Sequence, residues 1–332
     1  MDLTIMLVVM VVVIALAFDF INGFHDTANA IATSISTKAL TPRVAIILAS
    51  LMNLIGALTF TGVAKTIGSQ IADPFQLENG LIVIIVALTS AIIWNLVTWY
   101  SGVPSSSSHA LIGSLAGSVV SCAGIAGVNL KGFIGIIEVL ILAPFVAFGV
   151  GFVIMNILRF FFKNSNPKTV NRNFRFMQIF TAAFQAFSHG TNDAQKSMGI
   201  ITFALVASGL ATTIEIPFWV KLSCAIAMAL GTSVGGWRII KTVGTKIIKL
   251  NPMSGFASDA TSTSVILVAT VLGQPVSTTH VISSAIMGVG SAKGFFSVKW
   301  STAQKMVTAW LITLPITALM AFILFKIVAI FI

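Results

Sequence analysis

Apolar residues run in long blocks along the chain, with neither the strict alternation of half-buried strands nor the narrow stripe of a helix on a water-soluble core. The clearest blocks are Leu3 to Phe20, Val44 to Gly62, Leu81 to Tyr100, Phe133 to Leu158, Phe218 to Gly236 and Met306 to Ile332. Each is close to the roughly 20 residues that carry a helix across a bilayer. The pattern predicts an all-α integral membrane protein with ten to twelve transmembrane segments. The stretch from Pro104 to Gly127 and its later counterpart fit either full crossings or re-entrant hairpins. The first block lacks a basic leader and a small-residue cleavage site, so it reads as a retained span.

Composition narrows the class. Of 332 residues, 57% are hydrophobic and 8% charged, against about 25% charged in a soluble domain. The net charge of +10 is spread over short connections, which fits the excess of cations in cytoplasmic loops and gives no stripe for nucleic acid. Cys122 and Cys224 lie inside apolar segments, which argues against a disulfide framework or a cysteine metal site.

The polar residues repeat. Gly23 and Asp26 recur as Gly190 and Asp193 at a spacing of 167, and Pro104 and His109 as Pro275 and His280 at 171. Pro42 and Pro217 are 175 apart, and Lys65-Thr66 and Lys241-Thr242 are 176 apart. Two repeats follow, 1–158 and 177–332, joined by a basic linker at 159–176. Loop charges then orient them. The connection at Pro42 carries Lys38 and Arg43 where its counterpart at Pro217 carries Glu215. The next connection, with Lys65, Asp73 and Glu78, is net −1 where its counterpart, with Arg238, Lys241, Lys246 and Lys249, is net +4. Equivalent loops of opposite sign predict an inverted-topology repeat, common among secondary transporters. The linker, with Arg159, Lys163, Lys168, Arg172 and Arg175, is expected in the cytoplasm and both termini outside.

The segment from Leu3 to Ser36 would make a straight helix about 50 Å long, well over the roughly 30 Å hydrocarbon core. A break is therefore expected in the polar run from Asn22 to Asn29, and another in its repeat from Ser188 to Lys196. Irregular backbone at membrane depth survives where it lines a cavity, so these runs mark the interface between repeats as a site. Each half adds a second polar patch, Pro104-Ser-Ser-Ser-Ser-His109 and Pro275-Val-Ser-Thr-Thr-His280, reading as a helix start. Free amides, hydroxyls and the positive end of the helix dipole suit an anion. By symmetry, Ser106, Ser107 and Ser108 face Ser277, Thr278 and Thr279 around a tetrahedral oxyanion, phosphate or sulfate.

Ionisable groups inside a membrane are costly and read as functional by default. Asp26, Asn29, Asn192 and Asp193 offer oxygens for a hard cation such as Na⁺, or carboxylates for a proton. The four histidines, His25, His109, His189 and His280, all lie in these patches and form a candidate proton relay. Lys196 either offsets a bound anion or pairs with Asp193. Asp19 and Glu138 sit in apolar stretches and either relay protons, join a second ion site or pair between helices. Asn53 and Asn95 read as interhelical hydrogen-bonding groups.

At these residues the sequence resembles the inorganic phosphate transporter (PiT) family, whose duplicated signature stands here as Gly23-Phe-His-Asp-Thr-Ala-Asn-Ala30 and Gly190-Thr-Asn-Asp-Ala-Gln-Lys-Ser197. The likeness covers essentially the whole chain. One departure is His25, where the family's first Asn is usual. The resemblance implies a symporter holding central phosphate and cations at the two Asp motifs, driven by Na⁺ or H⁺, and sulfate permeases also occur in the family. Hydrogen phosphate keeps an O–H donor that Asp26 or Asp193 can accept, while sulfate would be repelled, so phosphate is the expected substrate.

Two other classes compete. Gly231-Thr-Ser-Val-Gly235 matches a hydrolase pattern, G-x-S-x-G, which requires a strand-to-helix elbow, yet here falls inside a predicted helix. An anion channel shares the polar path but gives no reason for carboxylates beside an anion. The expectation is therefore a transporter in the plasma membrane, not an enzyme, without cofactor or resident metal. Its partners are inorganic phosphate, Na⁺ or H⁺ and the lipid bilayer, with a homo-oligomer left open.

Overall fold

The computed structural model describes residues 2–72, 77 and 79–331, and these are helical nearly throughout. The helices are α1 (Leu3–Ser36), α2 (Pro42–Thr59), α3 (Gly62–Gln70), α4 (Gly80–Ser101), α5 (Ser107–Ala123), α6 (Leu130–Phe162), α7 (Pro167–Ala207), α8 (Phe218–Val234), α9 (Trp237–Lys246), α10 (Pro252–Val271), α11 (Thr278–Lys293) and α12 (Trp300–Val328). Their ends follow local chemistry. Pro42, Pro167 and Pro252 sit in first turns, where a missing N–H costs little. Asn129, Asn166 and Asn251 accept hydrogen bonds from the first free amides of α6, α7 and α10.

Among the described residues five helices, α1, α2, α4, α6 and α12, are long and apolar enough to cross a membrane, and α8 with α9, bent by 71° at their junction, would make a sixth span. The outer surface is correspondingly apolar, with Val13, Ile47, Leu142, Phe145, Leu311 and Leu319 exposed, while the buried interior holds many polar groups. Apolar outside and polar inside suits hydrocarbon as the solvent.

The breaks expected in the two signature runs do not occur. α1 passes through Asn22–Asn29 and α7 through Ser188–Lys196 as continuous helix. Their polar side chains bond to other helices, so the backbone ladder need not open to satisfy them. The length is accommodated instead by burial: residues 21–34 of α1 and 188–204 of α7 are almost wholly enclosed. Discontinuities fall between α2 and α3 and between α8 and α9. The basic segment 159–176 is also mostly helical, with only 163–166 outside α6 and α7, and its five cations are exposed. Asp73 and Glu78 lie outside the described residues.

The order of elements in α1–α6 recurs in α7–α12, down to a 3-10 turn before α6 and another before α12. Packing recurs as well. Gly231 of α8 lies against the Phe20 carbonyl of α1, and Gly56 of α2 against the Phe187 carbonyl of α7, with no room for a Cβ at either glycine. Thr66 donates to the Gly273 carbonyl at 2.6 Å, and Thr242 to the Gly102 carbonyl at 3.1 Å. The equivalent helices α1 and α7 run antiparallel: Ser197 bonds to Asp19 at one end of the pair and Thr37 to Gln178 at the other.

Candidate functional site

α1 and α7 bring their signature runs together at the centre, and α5 and α11 aim their N-termini at the same place. Asp26 accepts from Ser107 of its own half and, at 3.0 Å, from Thr279 of the other. Asn29 donates to that Thr279 hydroxyl at 2.8 Å. In the second half, Asp193 accepts from Thr278 at 2.9 Å and pairs with Lys196. Lys196 also donates to Ser108 across the interface at 2.6 Å and to the Val276 carbonyl at 3.1 Å. Asn29 and Lys196 occupy equivalent positions, 167 apart, and each reaches the fifth residue of the opposite patch, Thr279 and Ser108. One network is thus built twice, with an amide in one copy and an ammonium in the other. All these residues are buried.

The histidines separate into two pairs. His25 lies 2.7 Å from Asp26, and His189 Nε2 lies 3.1 Å from Asp193, so both touch the carboxylates. Asp26, His189 and Asp193 present ligand atoms within 4.8 Å of one another, a set able to hold a cation. Asn29 adds a buried Oδ1 with no hydrogen-bond donor among the described residues. His109 and His280 stand apart. Their rings lie 4.5 Å apart, with His280 stacked on Trp310 at 4.1 Å. Together they line a largely apolar cavity of about 670 Å³ with Pro144, Met287 and Leu311. Among the described residues no direct hydrogen bond joins one pair of histidines to the other.

Other expected residues are placed differently from the sequence reading. Ser106 and Ser277 cap α5 and α11, each oxygen accepting from the backbone amide of the histidine three residues on. Asn192 uses its side chain to fix the strand of chain before α11, donating to Thr270 at 3.1 Å and to the Gln274 carbonyl at 3.2 Å, and accepting from the Val276 amide. Its Oδ1 is thus engaged by a backbone amide, whereas the Oδ1 of Asn29 has no donor among the described residues. Glu138 is exposed on α6 beside Gln70, Lys131 and Gln274. Asn53 does bridge helices, donating to Thr27 and Thr232 and contacting His189. Asn95 is buried without a described partner.

Two groups escaped the sequence reading. Asp259 of α10 is buried and accepts from Thr33 at 2.6 Å and Gln178 at 3.2 Å. The polar run Ser258-Asp-Ala-Thr-Ser-Thr-Ser264 inside an apolar block was the available signal. Thr98 and Thr270 support the signatures equivalently: His25 contacts Thr98 at 3.2 Å and Asn192 bonds Thr270. Cys122 lies on α5, and Cys224, buried on α8, faces Asp19 of α1.

Comparison with known proteins identifies the family. Residues 22–321 match the phosphate transporter family PHO4. The chain is 59% identical over 319 residues to a "Probable low-affinity inorganic phosphate transporter" of Bacillus subtilis (strain 168), covering 96% of each chain. A protein of the same description from Rhizobium meliloti (strain 1021) is 43% identical, with 95% of this chain and 94% of that one covered. Among solved structures, "The sodium-dependent phosphate transporter" superposes with a TM-score of 0.87 at 25% identity, over 98% of this chain and 100% of the other. With its paired signatures converging on one buried site, this chain belongs to the phosphate transporter family and is a multi-pass membrane protein of phosphate transport.

Proposed function

We propose that the chain is a secondary active symporter that imports inorganic phosphate with Na⁺ or H⁺, by alternating access around the site between its two halves. The observation that carries this reading is the convergence of Asp26 and Asp193 with Ser107, Ser108, Thr278 and Thr279 of two opposed helix N-termini. The hydroxyls and first-turn amides bind the phosphate oxygens, and Lys196 offsets part of the charge. Asp26, His189, Asp193 and the Asn29 carbonyl take the cation. The sodium dependence in the structural relative's title supports Na⁺. Antiparallel α1 and α7 support an inverted repeat, with 1–158 and 177–332 as rocking units. The exposed cations of 159–176 face the cytoplasm and the termini face outward in the plasma membrane.

The test is radiolabelled phosphate uptake into proteoliposomes under imposed Na⁺ or proton gradients, with excess unlabelled sulfate and with Asp26→Asn and Asp193→Asn variants. Gradient-driven uptake that ignores sulfate and collapses in both variants is the expected result. Equal uptake of sulfate would move the substrate assignment, and uptake indifferent to every cation gradient would replace the symporter with a channel.

A further inference from the structure

Four carboxyl groups lie buried within helices among the described residues: Asp19, Asp26, Asp193 and Asp259. Three of them accept from several oxygen or nitrogen donors. Asp19 has one, Ser197, which donates to its Oδ1 at 2.6 Å, and beside it only the weaker Cys224 thiol; its Oδ2 has no hydrogen-bond partner among the described residues. Among the described residues no lysine, arginine or histidine forms an ion pair with it, whereas Asp193 has Lys196 and His189. The titratable groups facing it are the Cys224 thiol of α8 and, further off, Asp193 and Lys196 of α7. The surrounding helices give Phe18, Met198, Val220 and Ala225 to one apolar core.

We propose that Asp19 is a proton-binding station of the transport cycle, its bare Oδ2 taking a proton from one face of the membrane and releasing it to the other. The proposal rests on the symporter reading above and names a coupling ion for it. Position supports a role in the path: Asp19 precedes Asp26 by two turns on α1, about 10 Å toward one membrane face. Ser197 lies one turn beyond Asp193 on α7. The ligand set selects a proton over a metal cation. Hard cations collect six or more oxygens, whereas Asp19 has one hydroxyl and one thiol bonded to it and apolar side chains around. The site as a whole also requires neutralisation. Asp19, Asp26 and Asp193 together face one ammonium group, Lys196, and if all were ionised two negative charges would stand uncompensated where an anion must enter. A cation at Asp26, His189 and Asp193 removes one of them, and a proton on Asp19 removes the other. In the step itself an O–H bond forms at Oδ2 with a proton given up by water or buffer on one side, and the same bond breaks to water on the opposite side.

The experiment uses the full chain in proteoliposomes loaded with a pH-sensitive dye, comparing wild type, Asp19→Asn and Asp19→Glu. Phosphate counterflow, which needs binding and reorientation but no net coupling, is read alongside. The expected result is that Asp19→Asn keeps counterflow while one fewer proton enters per phosphate. Accumulation driven by a pH gradient should then fall about tenfold for each unit of gradient, the equivalent of one proton. Asp19→Glu should restore both. Proton movement in Asp19→Asn equal to wild type overturns the proposal while leaving phosphate transport standing, and so does a wild type that moves phosphate with Na⁺ and no proton. Loss of counterflow together with coupling in Asp19→Asn and in Asp19→Glu assigns Asp19 a structural role and also overturns it. Wild type that moves no phosphate overturns the symporter reading itself, and this one with it.

Discussion

Thr279→Val separates the interface hydroxyl from everything else about the position, because valine matches threonine in shape. The Thr279 hydroxyl donates to Asp26 Oδ1 at 3.0 Å and accepts from Asn29 at 2.8 Å. Losing a hydrogen bond to a carboxylate costs about 1.5–3 kcal/mol, and leaving the buried Asn29 amide unsatisfied adds about 1–3 kcal/mol. A total near 3–5 kcal/mol, at about 1.4 kcal/mol per factor of ten, predicts a fall in phosphate uptake of roughly a hundredfold or more. Initial rates in proteoliposomes give the effect, and thermal unfolding in detergent shows how much of it is stability. Thr279→Ser, which keeps the hydroxyl, should stay near wild type. Uptake by Thr279→Val close to the wild-type rate would refute the reasoning, because it would mean that the cross-half bond to Asp26 does not matter in the transport cycle.

Three further outcomes follow from the same contacts. Lys196→Met leaves Asp193 without its counter-charge and should cost about 3–5 kcal/mol, seen as a lower melting temperature that Asp193→Asn in the same chain partly restores. Gly231→Ala forces a methyl against the Phe20 carbonyl and should lower stability by about 1–3 kcal/mol; an unchanged melting temperature would show that α1 and α8 can move apart freely. Asp259→Ala orphans the Thr33 hydroxyl and the Gln178 amide and should destabilise by about 2–4 kcal/mol, measured in the same assay.

Much of the architecture was legible in the sequence, for physical reasons. Apolar runs of spanning length located α1, α2, α4, α6, α8 and α12, because hydrocarbon demands continuous apolar helix. The spacing near 167–176 accompanies a recurring order of helices, and the Pro-Ser/Thr-His patches became the starts of α5 and α11. The expected break at Asn22–Asn29 failed because composition does not reveal whether a polar run opens the backbone or spends its side chains on neighbours. Here Asn29 and Asp26 reach α11, and Thr27 reaches Thr232 of α8, so the helix stays closed. The division of labour within each Ser/Thr patch was likewise hidden. Which hydroxyl caps and which faces the aspartate depends on where the helix begins, and one residue of shift exchanges Ser106 with Ser107. Asp259 was passed over because it has no counterpart in the first half, and symmetry was the guide.

The central claim is that the two halves build one phosphate site where the N-termini of α5 and α11 meet Asp26 and Asp193. Its most direct test is an experimental structure of the protein with phosphate and the driving cation bound. Phosphate density in contact with Ser107 or Ser108 from one half and Thr278 or Thr279 from the other, with a cation beside Asp26 and Asp193, is the predicted result. Phosphate held by residues of a single half, or bound away from both aspartates, would contradict the account.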